Sequence, residues 1–123
     1  CVYIAPGDAD VIISRRTGAL VAMPAPSSAA FRWHPSVDRM VDSALDHVPA
    51  TDLIGVLLTG MGNDGATTMT RLRGDGGRTI AEAEETAVVW GMPGELVRAG
   101  GAEAVLPLDH VAAGLLELAG RAS

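Results

Sequence analysis

Leu53-Ile54-Gly55-Val56-Leu57-Leu58-Thr59-Gly60-Met61-Gly62-Asn63-Asp64-Gly65 runs from a block of branched apolar residues into a glycine-rich turn that carries one carboxylate. The apolar block shows no polar alternation. It predicts a strand covered on both faces, as in a parallel sheet with helices above and below. The turn then falls at the carboxyl end of the strand, the edge at which open α/β sheets build their sites.

Downstream of the turn, residues 66–72 read as a helix closed by Gly74 and Gly76-Gly77, and Arg78-Thr79-Ile80-Ala81 as a second short strand. Strand, turn, helix and strand thus follow within about thirty residues, the size of one βαβ unit. Two further helical segments are expected over residues 86–90 and 94–99, split by Gly91-Met92-Pro93, whose Pro suits the first turn of the second. Residues 104–107 predict a third strand. Asp109 is expected to cap a last helix with Val111, Ala112, Leu115, Leu116 and Ala119 on its apolar face.

Upstream, the first third reads as a β-meander. Val2-Tyr3-Ile4-Ala5 is strand-like, Pro6-Gly7-Asp8 is a turn, and residues 10–14 and 18–23 pair as a hairpin around Arg15-Arg16-Thr17-Gly18. Residues 23–28 are loop by composition. The period then becomes helical: Val37, Met40, Val41, Ala44, Leu45 and Val48 share one face, with Asp38, Arg39, Asp42, Asp46 and His47 on the other.

With 123 residues, 48% of them hydrophobic, the chain has enough apolar material for one core. A net charge of −6, with nine Lys and Arg and no basic cluster, argues against nucleic acid and anionic membrane surfaces as partners. No apolar run is long enough to span a bilayer, so membrane insertion is not expected and a cytoplasmic location is. The single Cys1 excludes an internal disulfide and fits a reducing compartment. A start at Cys1 inside a strand-like run predicts a polypeptide that extends upstream. The three histidines, His34, His47 and His110, read as solvated, lack metal-ligand spacing with Cys or carboxylates, and predict no metal or cofactor.

The turn itself admits several chemistries. Gly60, Gly62 and Gly65 satisfy G-x-G-x-x-G between strand and helix, and Glu82 lies near the place of a ribose-binding acid. Asp64 opposes nucleotide binding, because its carboxylate would repel a pyrophosphate at the helix N-terminus. Asp64 reads either as the N-cap of its own helix or as a buried acid that fixes a histidine tautomer, and the two roles are compatible. Glu82, Glu84 and Glu85 read as a solvated acidic group, with a place at the site's rim, after the strand, as the alternative, and Met61, Met69 and Met92 as packing residues. Trp90 and Met92 are candidates for a groove rim, with core packing the competing role for Trp90.

Four blocks carry a family resemblance: Leu57 to Ala66, Tyr3 to Asp8, Pro35-Ser36-Val37-Asp38, and Val88-Val89-Trp90-Gly91-Met92-Pro93. In their order along the chain they resemble the catalytic domain of the chemotaxis protein-glutamate methylesterases, the CheB family. The resemblance implies a doubly wound, mostly parallel α/β sheet of the Rossmann-like three-layer kind, here lacking its first strands. It makes residues 1–123 the C-terminal portion of one methylesterase domain, and it implies a serine hydrolase that demethylates glutamate methyl esters on methyl-accepting chemotaxis receptors.

By motif, Asp64 matches the triad acid and Met61 the residue whose backbone N–H serves the oxyanion, with Gly60, Gly62, Asn63 and Gly65 shaping the loop. The family's serine and histidine strings, Gly-Ala-Ser-Thr-Gly-Gly and Gln-His-Met-Pro, do not occur here, and none of Ser14, Ser27, Ser28, Ser36, Ser43 and Ser123 has the glycine context of a nucleophile. These residues alone are therefore expected to be inactive, with serine and histidine upstream. An N-terminal receiver domain is a further expectation for the parent. A non-catalytic signalling module of the same fold and a nucleotide-binding turn are the alternatives.

Overall fold

A computed structural model describes residues 1–122 of the chain. Strands β1 (Asp10–Arg16) and β2 (Ala19–Ala25) form a hairpin, and helix α1 (Val37–His47) follows. Then come β3 (Ile54–Leu57), α2 (Ala66–Gly74), β4 (Arg78–Glu82), α3 (Met92–Arg98), β5 (Ala104–Leu106) and α4 (Leu108–Ala122). The sheet order β3-β4-β5 is parallel throughout, with Val56 beside Ile80 and Ala81 beside Val105.

Central strand β4 shows why the fold has three layers. Successive strand residues face opposite sides of a sheet. Ala81 packs in one cluster with Leu57, Met69 of α2, Leu72 of α2 and Leu96 of α3. Ile80 faces the other side, where Gly114 of α4 lets that helix approach. Helices therefore cover both faces, as expected of a doubly wound sheet. β3 is less covered than its sequence predicts: Leu57 is buried, but Ile54, Gly55 and Val56 are only half-buried. Among the described residues it has a neighbouring strand on one side only.

Several expectations are corrected. The meander reduces to a two-stranded hairpin closed by Thr17 and Gly18, at φ 49° and 83°, the positive pair that a two-residue loop requires. Val2, Tyr3 and Ile4 are largely exposed and form no strand. The outward edge of β1 is already engaged by α1, since the Ile13 N–H donates to Ser43 Oγ at 2.8 Å.

Residues 86–90 form no helix: Thr86 and Ala87 close a turn on the Ala83 carbonyl, and Val89 and Trp90 are drawn to the glycine turn. Gly60 N–H donates to the Val89 carbonyl (3.0 Å) and Trp90 bridges Gly60 in parallel. Asp109 lies inside the first turn of α4 rather than capping it. The buried side of that helix runs through Leu118, while Leu116 is exposed.

Candidate functional site

Asp64 sits at the carboxyl edge of the sheet and is 5% exposed. It does not cap its own helix, correcting one sequence expectation: Gly65 is the N-cap of α2, at φ 91°, and α2 receives no side-chain cap. The left-handed step at Gly65 reverses the chain and turns the Asp64 side chain toward α1 instead. There Oδ2 accepts the Val37 N–H (2.7 Å), while Oδ1 accepts the Asp38 N–H (2.9 Å) and lies 3.5 Å from the Ser36 hydroxyl. These are first-turn groups of α1 that have no partner inside the helix. A carboxylate offers about four lone-pair sites, so Asp64 keeps capacity for a further donor.

The α1 terminus is itself tied down. Ser36 Oγ, its N-cap, accepts the Arg39 N–H, and Asp38 Oδ1 accepts from Thr68 Oγ1 (2.6 Å) and Thr68 N (3.3 Å) across on α2. Asp38 and Arg39 are thus anchors, not members of a solvated face. Two carboxylates now engage or adjoin the first turns of α1 and α2, which opposes a pyrophosphate there.

Asp10, with 0% exposure, grips the same segment. It accepts from Arg39 Nη1 (2.7 Å) and the Ser36 N–H (2.9 Å), with His34 Nδ1 at 3.2 Å. His34 is accordingly half-buried against an acid and not a surface histidine.

Burial by itself raises the Asp10 pKa. The hydrogen bonds from Arg39, His34 and Ser36 together outweigh it and hold the carboxyl below its ordinary 3.8. An acid whose folded pKa is depressed stabilises the fold above its unfolded pKa, about 3.9, and that contribution fades as pH falls through the folded value. Asp10→Asn is therefore expected to lower the urea midpoint at pH 7, with the gap to wild type narrowing below about pH 4. Denaturation series across that range measure it.

The other wall of the site is the turn itself. Three consecutive peptide units are fixed from outside: the Thr59 N–H donates to Glu82 Oε1 (2.9 Å), the Gly60 N–H to the Val89 carbonyl, and the Gly60 carbonyl accepts the Met92 N–H (2.8 Å). Thr59 Oγ1 adds bonds to the Val89 N–H and carbonyl. Gly60 O and the Met61 N–H belong to one planar trans peptide, so fixing the carbonyl aims that N–H the opposite way. Met61 is 70% exposed, and its N–H has no acceptor among the described residues.

An open groove of about 630 Å³ adjoins this turn, lined by Arg32, Trp33, Met61, Gly62, Asn63, Gly91 and Glu95. Trp33 lies across Gly62 so closely that a Cβ there would come within 2.6 Å of its ring, and Gly62 holds φ 96°. Trp90 turns its Nε1 to the Glu82 carbonyl (2.8 Å), and Met92 packs under Gly60; Gly91, between them, reaches the groove.

Trp33 is the site residue the sequence reading missed, and Glu82 is the one whose favoured reading, a solvated group, is corrected. Glu82 is 1% exposed, not part of a solvated group with the exposed Glu84 and Glu85. Its place at the end of a strand supported the alternative of a site-rim acid.

No serine hydroxyl is bonded to an imidazole, and no His, Cys and carboxylate cluster could hold a metal, among the described residues; Ser123 lies outside them. No described helix is long and apolar enough to cross a membrane.

A family model described as CheB methylesterase matches residues 1–115. The chain belongs to that family. A protein-glutamate methylesterase/protein-glutamine glutaminase 2 of Rhodopseudomonas palustris is 63% identical over 116 residues, 94% of this chain and 32% of the relative. A counterpart numbered 3 in Rhodospirillum rubrum is 53% identical over 111 residues, 90% of this chain and 30% of that protein. The chain thus spans about a third of the length of these curated relatives.

The crystal structure of the Thermotoga maritima CheB methylesterase catalytic domain superposes with a TM-score of 0.86 at 36% identity, covering 94% of this chain and 61% of that one. The parallel sheet and its helices thus match those of a solved relative.

Proposed function

We propose that these residues form the C-terminal portion of a CheB catalytic domain, which hydrolyses glutamate methyl esters on chemoreceptors. Serine and histidine come from preceding residues of the same domain. The observation that carries the reading is the pairing, on one turn, of a buried carboxylate with capacity for another donor and an outward N–H with no internal acceptor.

In this mechanism Asp64 accepts a hydrogen bond from the histidine and holds the tautomer that takes the serine proton. Serine attacks the ester carbonyl, and the negative oxygen of the tetrahedral intermediate is stabilised by the Met61 N–H. Methanol leaves with the proton returned by histidine, and water then releases the glutamate from the acyl-enzyme. The relatives are also named protein-glutamine glutaminases, and the same steps deamidate a glutamine side chain when ammonia is the leaving group.

The remaining length of the relatives leaves room for a receiver domain upstream. The substrate places the protein in the cytoplasm. Incubating the full-length polypeptide with methylated receptor is expected to release methanol, and a serine-directed phosphonylating reagent to stop it. Receptor binding without methanol release would instead favour a non-catalytic signalling module.

A further inference from the structure

We propose that Glu82 is a positioning residue for the Met61 amide, an inference that rests on the oxyanion role given above. Its carboxylate is buried at the end of the central strand, yet among the described residues no cation pairs with it. Oε1 accepts the Thr59 N–H at 2.9 Å and Oε2 accepts the Thr86 hydroxyl at 2.9 Å. Burying a carboxylate without a counter-charge is costly, and an amide and a hydroxyl offset that cost only in part.

What the arrangement provides is a fixed point. The three peptides from Leu58 to Met61 are each bonded once to surrounding structure, and Glu82 holds the first of them. Val89, which holds the second, lies on the loop that continues from Glu82 through Thr86, and Met92, which holds the third, opens α3 at the end of that loop. Thr86 in turn accepts the Leu108 N–H at 3.0 Å, which ties the loop to α4. Without the Glu82 acceptor, the Thr59 N–H is left unsatisfied at the strand end, and the peptides that aim the Met61 N–H lose their origin.

The test compares Glu82→Gln, which keeps a carbonyl acceptor for Thr59, with Glu82→Met, which keeps the volume and removes the acceptor. Both are made in the full-length polypeptide. In Glu82→Met, amide exchange at Thr59 and Gly60 is expected to quicken about tenfold, and kcat to fall by about tenfold or more. KM should stay within about twofold, since an oxyanion donor acts in the transition state and not on bound substrate. Glu82→Gln is expected to restore both.

If Glu82→Met does not fold, Thr86→Val frees Oε2 and is read in the same way with smaller shifts. Unchanged exchange at Thr59, or faster exchange with wild-type kcat, overturns the proposal. The exchange readout does not depend on activity, so a failure of the esterase reading, seen as no methanol release by the wild-type polypeptide, is distinguishable from a failure of this one.

Discussion

Replacing Asp64 by Asn in the full-length polypeptide is expected to lower kcat for methanol release by about 10⁴-fold, the scale of loss when a triad acid can no longer fix the imidazole tautomer. The structure adds a second effect that a solvent-facing triad acid would not show. Asp64 accepts from two backbone N–H groups of α1, so an Asn amide must set its NH₂ against one of them. That mismatch leaves a donor unpaired and costs about 1–3 kcal/mol of stability.

Thermal melting reads the stability cost and steady-state kinetics the catalytic loss. At a temperature where the variant is fully folded, the drop in kcat remains. Turnover near that of wild type, with a lowered melting point, would reduce Asp64 to a cap for α1 and remove it from the chemistry.

That double use of one carboxylate also marks where sequence reading stops. The apolar run, the glycine turn, the following helix and the next strand were all legible, because each depends on neighbours a few residues away. The partners of the buried acids were not. Asp64 meets α1 across 26 to 28 residues, Glu82 meets Thr59 across 23, and Asp10 meets Arg39 across 29.

A buried acid and a solvated one are the same letter. Asp38 and Arg39 shared a polar helical face with Asp46 and His47, and only docking of the hairpin and α2 against the first turn separates them. Residues 86–90 failed for a related reason. The Val89 N–H and carbonyl bond to Thr59 and Gly60, and that tertiary pairing overrides any local helical tendency.

Met61 supplies the second large effect, and here backbone and side chain separate cleanly. The side chain is mostly exposed and the N–H carries the proposed role. Met61→Ala is therefore expected to keep kcat within about threefold of wild type, in the range of a surface truncation. Met61→Pro deletes the N–H and is expected to lower kcat by about 10²–10³-fold, the loss measured when one oxyanion donor is removed.

The proline is tolerable in this place. The residue before a proline is pushed toward extended geometry, and Gly60 already pairs in parallel with Trp90 in a strand-like bridge. The Gly60 carbonyl keeps its bond from the Met92 N–H, the Gly60 N–H its bond to Val89 and the Thr59 N–H its bond to Glu82, so the turn retains all three of its ties. A Pro variant as active as the Ala variant would show that the developing negative charge is met elsewhere. A loss confined to Pro assigns it to one peptide, the one whose carbonyl is pinned by Met92.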